Sequence, residues 1–131
     1  INFELEENLP QIAADTKQMQ QVFINLITNS IDSIDGTGKI SIKTFVEKAA
    51  RDKEPDYVVT AISDTGAGIS PEDLPKVFNP FFTRKAEGTG LGLPITQRII
   101  YNHNGIIDIE SIVGKVTTFY IKLPVIIEDR K

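Results

Sequence analysis

Between residues 15 and 34 the chain carries Met19, Val22, Phe23, Leu26, Ile27, Ile31 and Ile34 at helical spacing, with amides and a carboxylate opposite them. With Asn25 set at zero and about 100° per residue, Gln18, Gln21, Asn25, Asn29 and Asp32 fall in a stripe about 80° wide. Asp15 followed by Gln18 reads as a capping-box start for this helix. A helix with one apolar side must cover another layer, and the flanking segments supply one with period-two alternation. Ile40, Ile42, Thr44 and Val46 alternate with Ser41, Lys43 and Phe45, and the runs 57–63, 106–111 and 117–123 are rich in strand formers. Ile1, Phe3 and Leu5 predict a further, half-buried strand that closes by Pro10. The expected fold class is therefore α/β, with strands in one layer and helices in the other.

Two further helices are expected. Ser70, Pro71, Glu72 and Asp73 combine an N-cap hydroxyl, proline at the first helical position and acids at the positive dipole end, predicting a short helix to about Phe78. Leu91 to about Asn104 reads as a helix that admits Pro94 in its first turn and ends at Gly105. Residues 35–38 make a turn and 48–56 a charged hairpin loop, while 79–90 show no periodicity and read as a surface loop or lid. At 131 residues one domain spanning 1–131 is expected. Its missing initiator Met makes the chain look like part of a longer protein.

Composition narrows the chemistry. No apolar stretch approaches the roughly 20 residues of a membrane span, so no direct membrane contact is expected. A net charge of -4 offers no general field for polyanions, which argues against nucleic acid. With no cysteine and one histidine, disulfides and Cys/His zinc sites are excluded, leaving hard oxygen ligands and favouring Mg²⁺.

Three motifs carry chemistry. The amide and carboxylate stripe can ligate Mg²⁺, though the same pattern also describes a solvated helix face. Asp64 leaves a strand into DTGAG, where a carboxylate can accept from an exocyclic amine and glycines let backbone approach a planar ligand; an ordinary Asx turn reads the same way. GTGLGL at 88–93 precedes a helix, whose free N–H groups suit phosphates, with Arg84 and Lys85 as local cations. It matches neither the Rossmann nor the Walker glycine pattern. Phe78, Phe81 and Phe82 anchor the lid or face a partner. His103, before Asn104 and Gly105, reads as a helix-end residue rather than a phosphoacceptor.

In order, NLITNSID (25–32), DTGAG (64–68), NPFFTRK (79–85) and GTGLGL (88–93) resemble the N box, first Gly box, F box and second Gly box of the sensor histidine kinases. That branch belongs to a superfamily with gyrase, Hsp90, MutL and the mitochondrial dehydrogenase kinases. The resemblance implies a two-layer α/β sandwich of the Bergerat type, with a mixed, mostly antiparallel sheet of about five strands on three helices and an ATP lid. ATP and Mg²⁺ are the implied ligands. Asn29 matches the metal-binding asparagine and Asn25 its supporting neighbour, with Lys85 as the third catalytic position. Asp64 matches the aspartate that binds the adenine amino group, usually with a water and a threonine, here Thr117 or Thr118. Further nucleotide contacts carry over to Asp32, Gly66, Gly68, Ile69 and Phe81. Arg84, Lys85, Gly88, Thr89, Gly90, Leu91, Gly92 and Leu93 complete that set.

The superfamily's hydrolases have a glutamate where Asn25 stands, and an amide is no general base at neutral pH, so transfer is favoured over hydrolysis. Two departures from the kinase pattern are Asp32, where a basic residue is common, and Val116, where a glycine is common. The resemblance implies γ-phosphoryl transfer to a histidine on a helical dimerisation domain of the same protein, and indirectly a response-regulator receiver domain as partner. Alternatives are an anti-sigma-type serine kinase and a catalytically silent ATP-binding module. The implied location is cytoplasmic, within a membrane-anchored or soluble full-length protein.

Overall fold

The computed structural model describes residues 1–34, 36–51, 54–79 and 92–126. Strand β1 (Asn2–Glu4) is followed by helix α1 (Thr16–Ser33), strands β2 (Ile40–Glu47) and β3 (Tyr57–Asp64), helix α2 (Gly92–Asn102), and strands β4 (Ile106–Ile112) and β5 (Val116–Pro124). The five strands form one sheet in the order β1-β2-β3-β5-β4. β1 lies parallel to β2, and the remaining pairs are antiparallel. The architecture is a two-layer α/β sandwich. Among the described residues no helix is long and apolar enough to cross a membrane.

Helix α1 begins as its sequence dictates. The Asp15 carboxylate accepts from the Gln18 N–H at 2.9 Å, and the polypeptide leaves the helix at Ile34. Met19, Val22 and Leu26 are buried against Ile42, Ile62, Phe119, Ile121 and Leu123, and α2 adds Ile99 and Ile100 to the same core. Truncating Leu26, which is fully buried, would cost about 2–5 kcal/mol. Ile31, on the expected apolar side of α1, is instead largely exposed, as is Ile24.

Two further expectations change. Ile1, Phe3 and Leu5 are exposed rather than half-buried, Phe3 to 60%, because β1 is the edge strand paired to β2. The third helix is a single 3₁₀ turn, Leu74–Lys76. The Ser70 hydroxyl does accept from the Asp73 N–H at 3.2 Å, and the Ser70 carbonyl takes the Asp73 and Leu74 N–H groups. Pro75 then has no N–H to continue an i→i−4 ladder, so the α-helix fails there.

His103 closes the helical layer. The Asp15 N–H donates to its Nε2 at 3.1 Å, which leaves Nδ1 as the protonated nitrogen, 2.8 Å from the Ile99 carbonyl. The imidazole thereby ties the end of α2 to the start of α1, as expected of a helix-end histidine.

Candidate functional site

Two polar groupings meet along one edge of α1. At the first, the Asn25 amide donates to the Gly92 carbonyl at 3.2 Å and to Thr96 Oγ1 at 3.3 Å, while its oxygen accepts from Gln21 Nε2 at 2.8 Å. Thr96 Oγ1 also donates to the Gly92 carbonyl at 2.9 Å. With donors and acceptor all engaged, Asn25 positions the first turn of α2 against α1. The opening N–H groups of that helix lack intrahelical partners, as at any helix N-terminus, and favour an anion.

At the second grouping, Asp64 ends β3 and is 1% exposed. Its Oδ1 accepts from the Gly66 N–H at 2.9 Å and from the Ser33 hydroxyl at 3.3 Å, whereas Oδ2 is buried without a partner. A buried carboxylate oxygen left unsatisfied is costly, which marks it as an acceptor kept for a ligand or an ordered water. The loop around it is stitched down. The Ala67 N–H donates to the Ser33 carbonyl at 3.1 Å, the Gly114 N–H to the Ala67 carbonyl at 2.7 Å, and the Ile69 N–H to Ser111 Oγ at 2.7 Å.

The glycines of this loop serve the protein's own packing. A Cβ at Gly66 would collide with Ser33, and one at Gly68, whose φ is +76°, would lie 2.5 Å from the Ile112 carbonyl oxygen. Clearance that the sequence assigned to a planar ligand is thus taken up by the end of α1 and the β4–β5 turn.

The sheet register separates the two threonines. Thr117 lies opposite Asp64 and is buried, sharing its face. Thr118 lies opposite Ser63 on the other face, where their hydroxyls are 2.8 Å apart and both line a groove of about 280 Å³. Thr118 is therefore withdrawn from the site, since neighbouring residues of a strand point to opposite faces.

Asn29 falls one helical turn from both Asn25 and Ser33, so it stands between the two groupings, with Asp32 beside Ser33. The eight-residue separation of Asn25 and Ser33 corresponds to roughly 12 Å along α1. The edge thus joins the buried Asp64 carboxylate to an anion-suited helix end at Gly92. Leu93 is half-buried against the core and Ile69 is half-buried beside its Ser111 contact. Phe81, Arg84, Lys85, Gly88, Thr89, Gly90 and Leu91 lie outside the described residues, as does all of the expected 79–90 lid beyond Asn79. Ser33, Thr96 and Ser111 were not singled out from sequence. Thr96 carried a usable signal, being a polar residue three before Ile99 and four before Ile100 on the buried stripe of α2.

The donor set suits a hard cation held mainly by other ligands. No group of three or more His, Cys, Asp or Glu residues is placed to hold a metal among the described residues, and the stripe offers an amide oxygen at Asn29 and a carboxylate at Asp32. Mg²⁺ takes few protein ligands when phosphates and waters supply the rest.

Comparison with known proteins bears on the family and the fold. Residues 14–127 match the family described as histidine kinase-, DNA gyrase B- and HSP90-like ATPase. Sensor histidine kinase ZraS of Salmonella typhimurium is 42% identical over 126 residues, 96% of this chain and 26% of that protein. Sporulation kinase E of Bacillus subtilis is 38% identical over 125 residues, 95% of this chain and 16% of that protein. Among solved structures, the catalytic domain of histidine kinase ThkA superposes with a TM-score of 0.76 at 34% identity, covering 94% of this chain and 76% of that one. The chain spans about a quarter or less of the length of these curated relatives.

Proposed function

The chain belongs to the histidine kinase-, DNA gyrase B- and HSP90-like ATPase family, and from that premise we propose that it binds Mg·ATP along the polar edge of α1 and gives up the γ-phosphoryl group to a histidine. That histidine belongs to a separate helical dimerisation and phosphoacceptor domain of the same protein, and a response-regulator receiver domain takes the phosphoryl group afterwards. The observation that carries the proposal is the buried, partnerless Asp64 Oδ2 at one end of an edge whose other end is the N-terminus of α2. An acceptor that prefers an amine and a helix end that prefers an anion are the two ends of an adenine nucleotide.

In this reading Asp64 accepts from the exocyclic amine, held in place by Ser33 and Gly66. Asn29, with Asp32 nearby, would hold Mg²⁺, which supplies charge neutralisation for the phosphates. Asn25 keeps α2 in register and, as an amide with its hydrogen bonds spent, supplies no base at that position to activate water. Transfer breaks the bond between the γ-phosphorus and its bridging oxygen, forms a bond to an imidazole nitrogen, and releases ADP. The chain contributes orientation and electrostatics rather than a nucleophile. The histidine-kinase names of ZraS and ThkA favour a histidine acceptor over a serine-directed or silent module. Use of ATP and a receiver-domain partner puts the working domain in the cytoplasm.

Isothermal calorimetry with ATP and GTP tests the assignment. Asp64→Ala should weaken ATP binding by about 1.5–3 kcal/mol, the range for a hydrogen bond to a charged group, and should narrow the preference over GTP. Unchanged ATP affinity in the variant sinks the assignment.

A further inference from the structure

Among the described residues, two buried side-chain oxygens have no hydrogen-bond partner, and they are Asp64 Oδ2 and Ser30 Oγ. Ser30 is fully buried. It continues the series Val22, Leu26 on the buried stripe of α1, a position where an apolar residue would serve packing better. It also precedes Ser33 by three residues, so the two hydroxyls share a side of the helix, and the Ser33 hydroxyl already holds the other oxygen of the same carboxylate at 3.3 Å. The two unsatisfied atoms therefore lie on packed elements, α1 and β3, that the Ser33–Asp64 bond joins one helical turn away from Ser30.

The remaining hydroxyl on that face has its proton committed. Ser111 Oγ donates to the Val116 carbonyl at 3.1 Å and accepts the Ile69 N–H at 2.7 Å, so in the 2.8 Å bond between Ser111 and Thr117 the donor is Thr117. Asp64 Oδ2 is an acceptor only. Among the described residues, Ser30 is the buried hydroxyl left with its proton uncommitted.

Starting from the proposed Mg·ATP function, we propose that Ser30 is a second base-reading residue. Asp64 Oδ2 accepts from the exocyclic amine, and the Ser30 hydroxyl donates, directly or through one water, to the adjoining ring nitrogen. An acceptor beside a donor complements a 6-aminopurine edge. It opposes a 6-oxopurine, which presents an acceptor oxygen to the carboxylate and a ring N–H beside it.

Calorimetry on the wild-type chain, Ser30→Ala and Asp64→Asn tests this with ATP, its 1-deaza analogue, in which C–H replaces that ring nitrogen, and purine riboside triphosphate, which lacks the amine. Ser30→Ala should weaken ATP binding about tenfold and leave the 1-deaza analogue unaffected. Asp64→Asn should still weaken the 1-deaza analogue and have little effect on purine riboside triphosphate. Without nucleotide, Ser30→Ala should unfold at the same or a higher urea concentration, because it removes an unsatisfied buried hydroxyl. Equal losses for ATP and the 1-deaza analogue in Ser30→Ala, or no loss for either, overturn the role of Ser30 while leaving an Asp64-dependent ATP site intact. A wild-type chain that binds none of the three overturns the parent function as well.

Discussion

Gly66→Ala should be far more damaging than Gly114→Ala, although both glycines sit in turns. A Cβ at Gly66 would meet the Ser33 hydroxyl and lie 2.5 Å from the Ser33 carbonyl oxygen and 2.7 Å from its carbon. The hydroxyl can rotate away, but the carbonyl belongs to the last residue of α1 and moves only with the helix end. That movement stretches the Ala67 N–H bonds to the Ser33 carbonyl, 3.1 Å, and hydroxyl, 3.2 Å, and the Ser33 contact to Asp64. Overpacking costs about 1–3 kcal/mol and each lost hydrogen bond about 1 kcal/mol more. With one or two of these bonds lost, the sum is about 2–5 kcal/mol, a large part of the about 5–15 kcal/mol that holds a domain folded. At Gly114 nothing lies within 4 Å of an added Cβ, and its φ of +75° leaves only a left-handed backbone penalty of about 1 kcal/mol. Urea unfolding followed by circular dichroism reads the difference directly, since a slope of about 1–3 kcal/mol per molar turns it into a midpoint shift of about 1 M. Because the same movement frees Asp64, Gly66→Ala should also lose ATP affinity. If the two variants unfold within about 1 kcal/mol of each other, the Asp64 loop yields independently of α1 and the reasoning fails.

Other outcomes follow from single contacts. Asn29→Ala should weaken ATP binding about tenfold or more with Mg²⁺ present and leave adenosine binding unchanged, and an equal loss without metal would show a structural amide. The isolated chain should take no acid-labile label from γ-labelled ATP, because both ring nitrogens of its sole histidine are engaged with Asp15 and Ile99; label that vanishes in His103→Gln would contradict this. The Ala49 N–H, assisted by Lys48, outweighs desolvation and holds the Asp56 carboxyl below its usual 3.8. A lowered folded value stabilises above pH 3.8 and the benefit fades as pH falls through that value, so wild type and Asp56→Asn should converge in urea midpoint below that window. Parallel profiles across about pH 2–5 would refute it.

What was legible in the sequence is what local chemistry decides. The Asp15 cap, the apolar periodicity of α1 and the alternating runs 40–46, 57–63, 106–111 and 117–123 mark structures whose hydrogen bonds and buried faces are set within a few residues. Asn25, Asn29 and Asp64 were legible for the same reason, since a polar stripe and a strand-ending carboxylate are local patterns. The segment 70–78 shows where such signals mislead, as its strong start could not outlast Pro75. Only the tertiary structure chose Thr117 over Thr118, because adjacent strand residues face opposite ways and the β3–β5 register alone puts one beside Asp64. It also set Gly66 against the end of α1, tied Asn25 to the Gly92 carbonyl, and brought Ser33 to the carboxylate it holds. Each depends on a contact between residues some 30 or more positions apart, and the periodicity of one segment carries no information about which atoms of another it will meet.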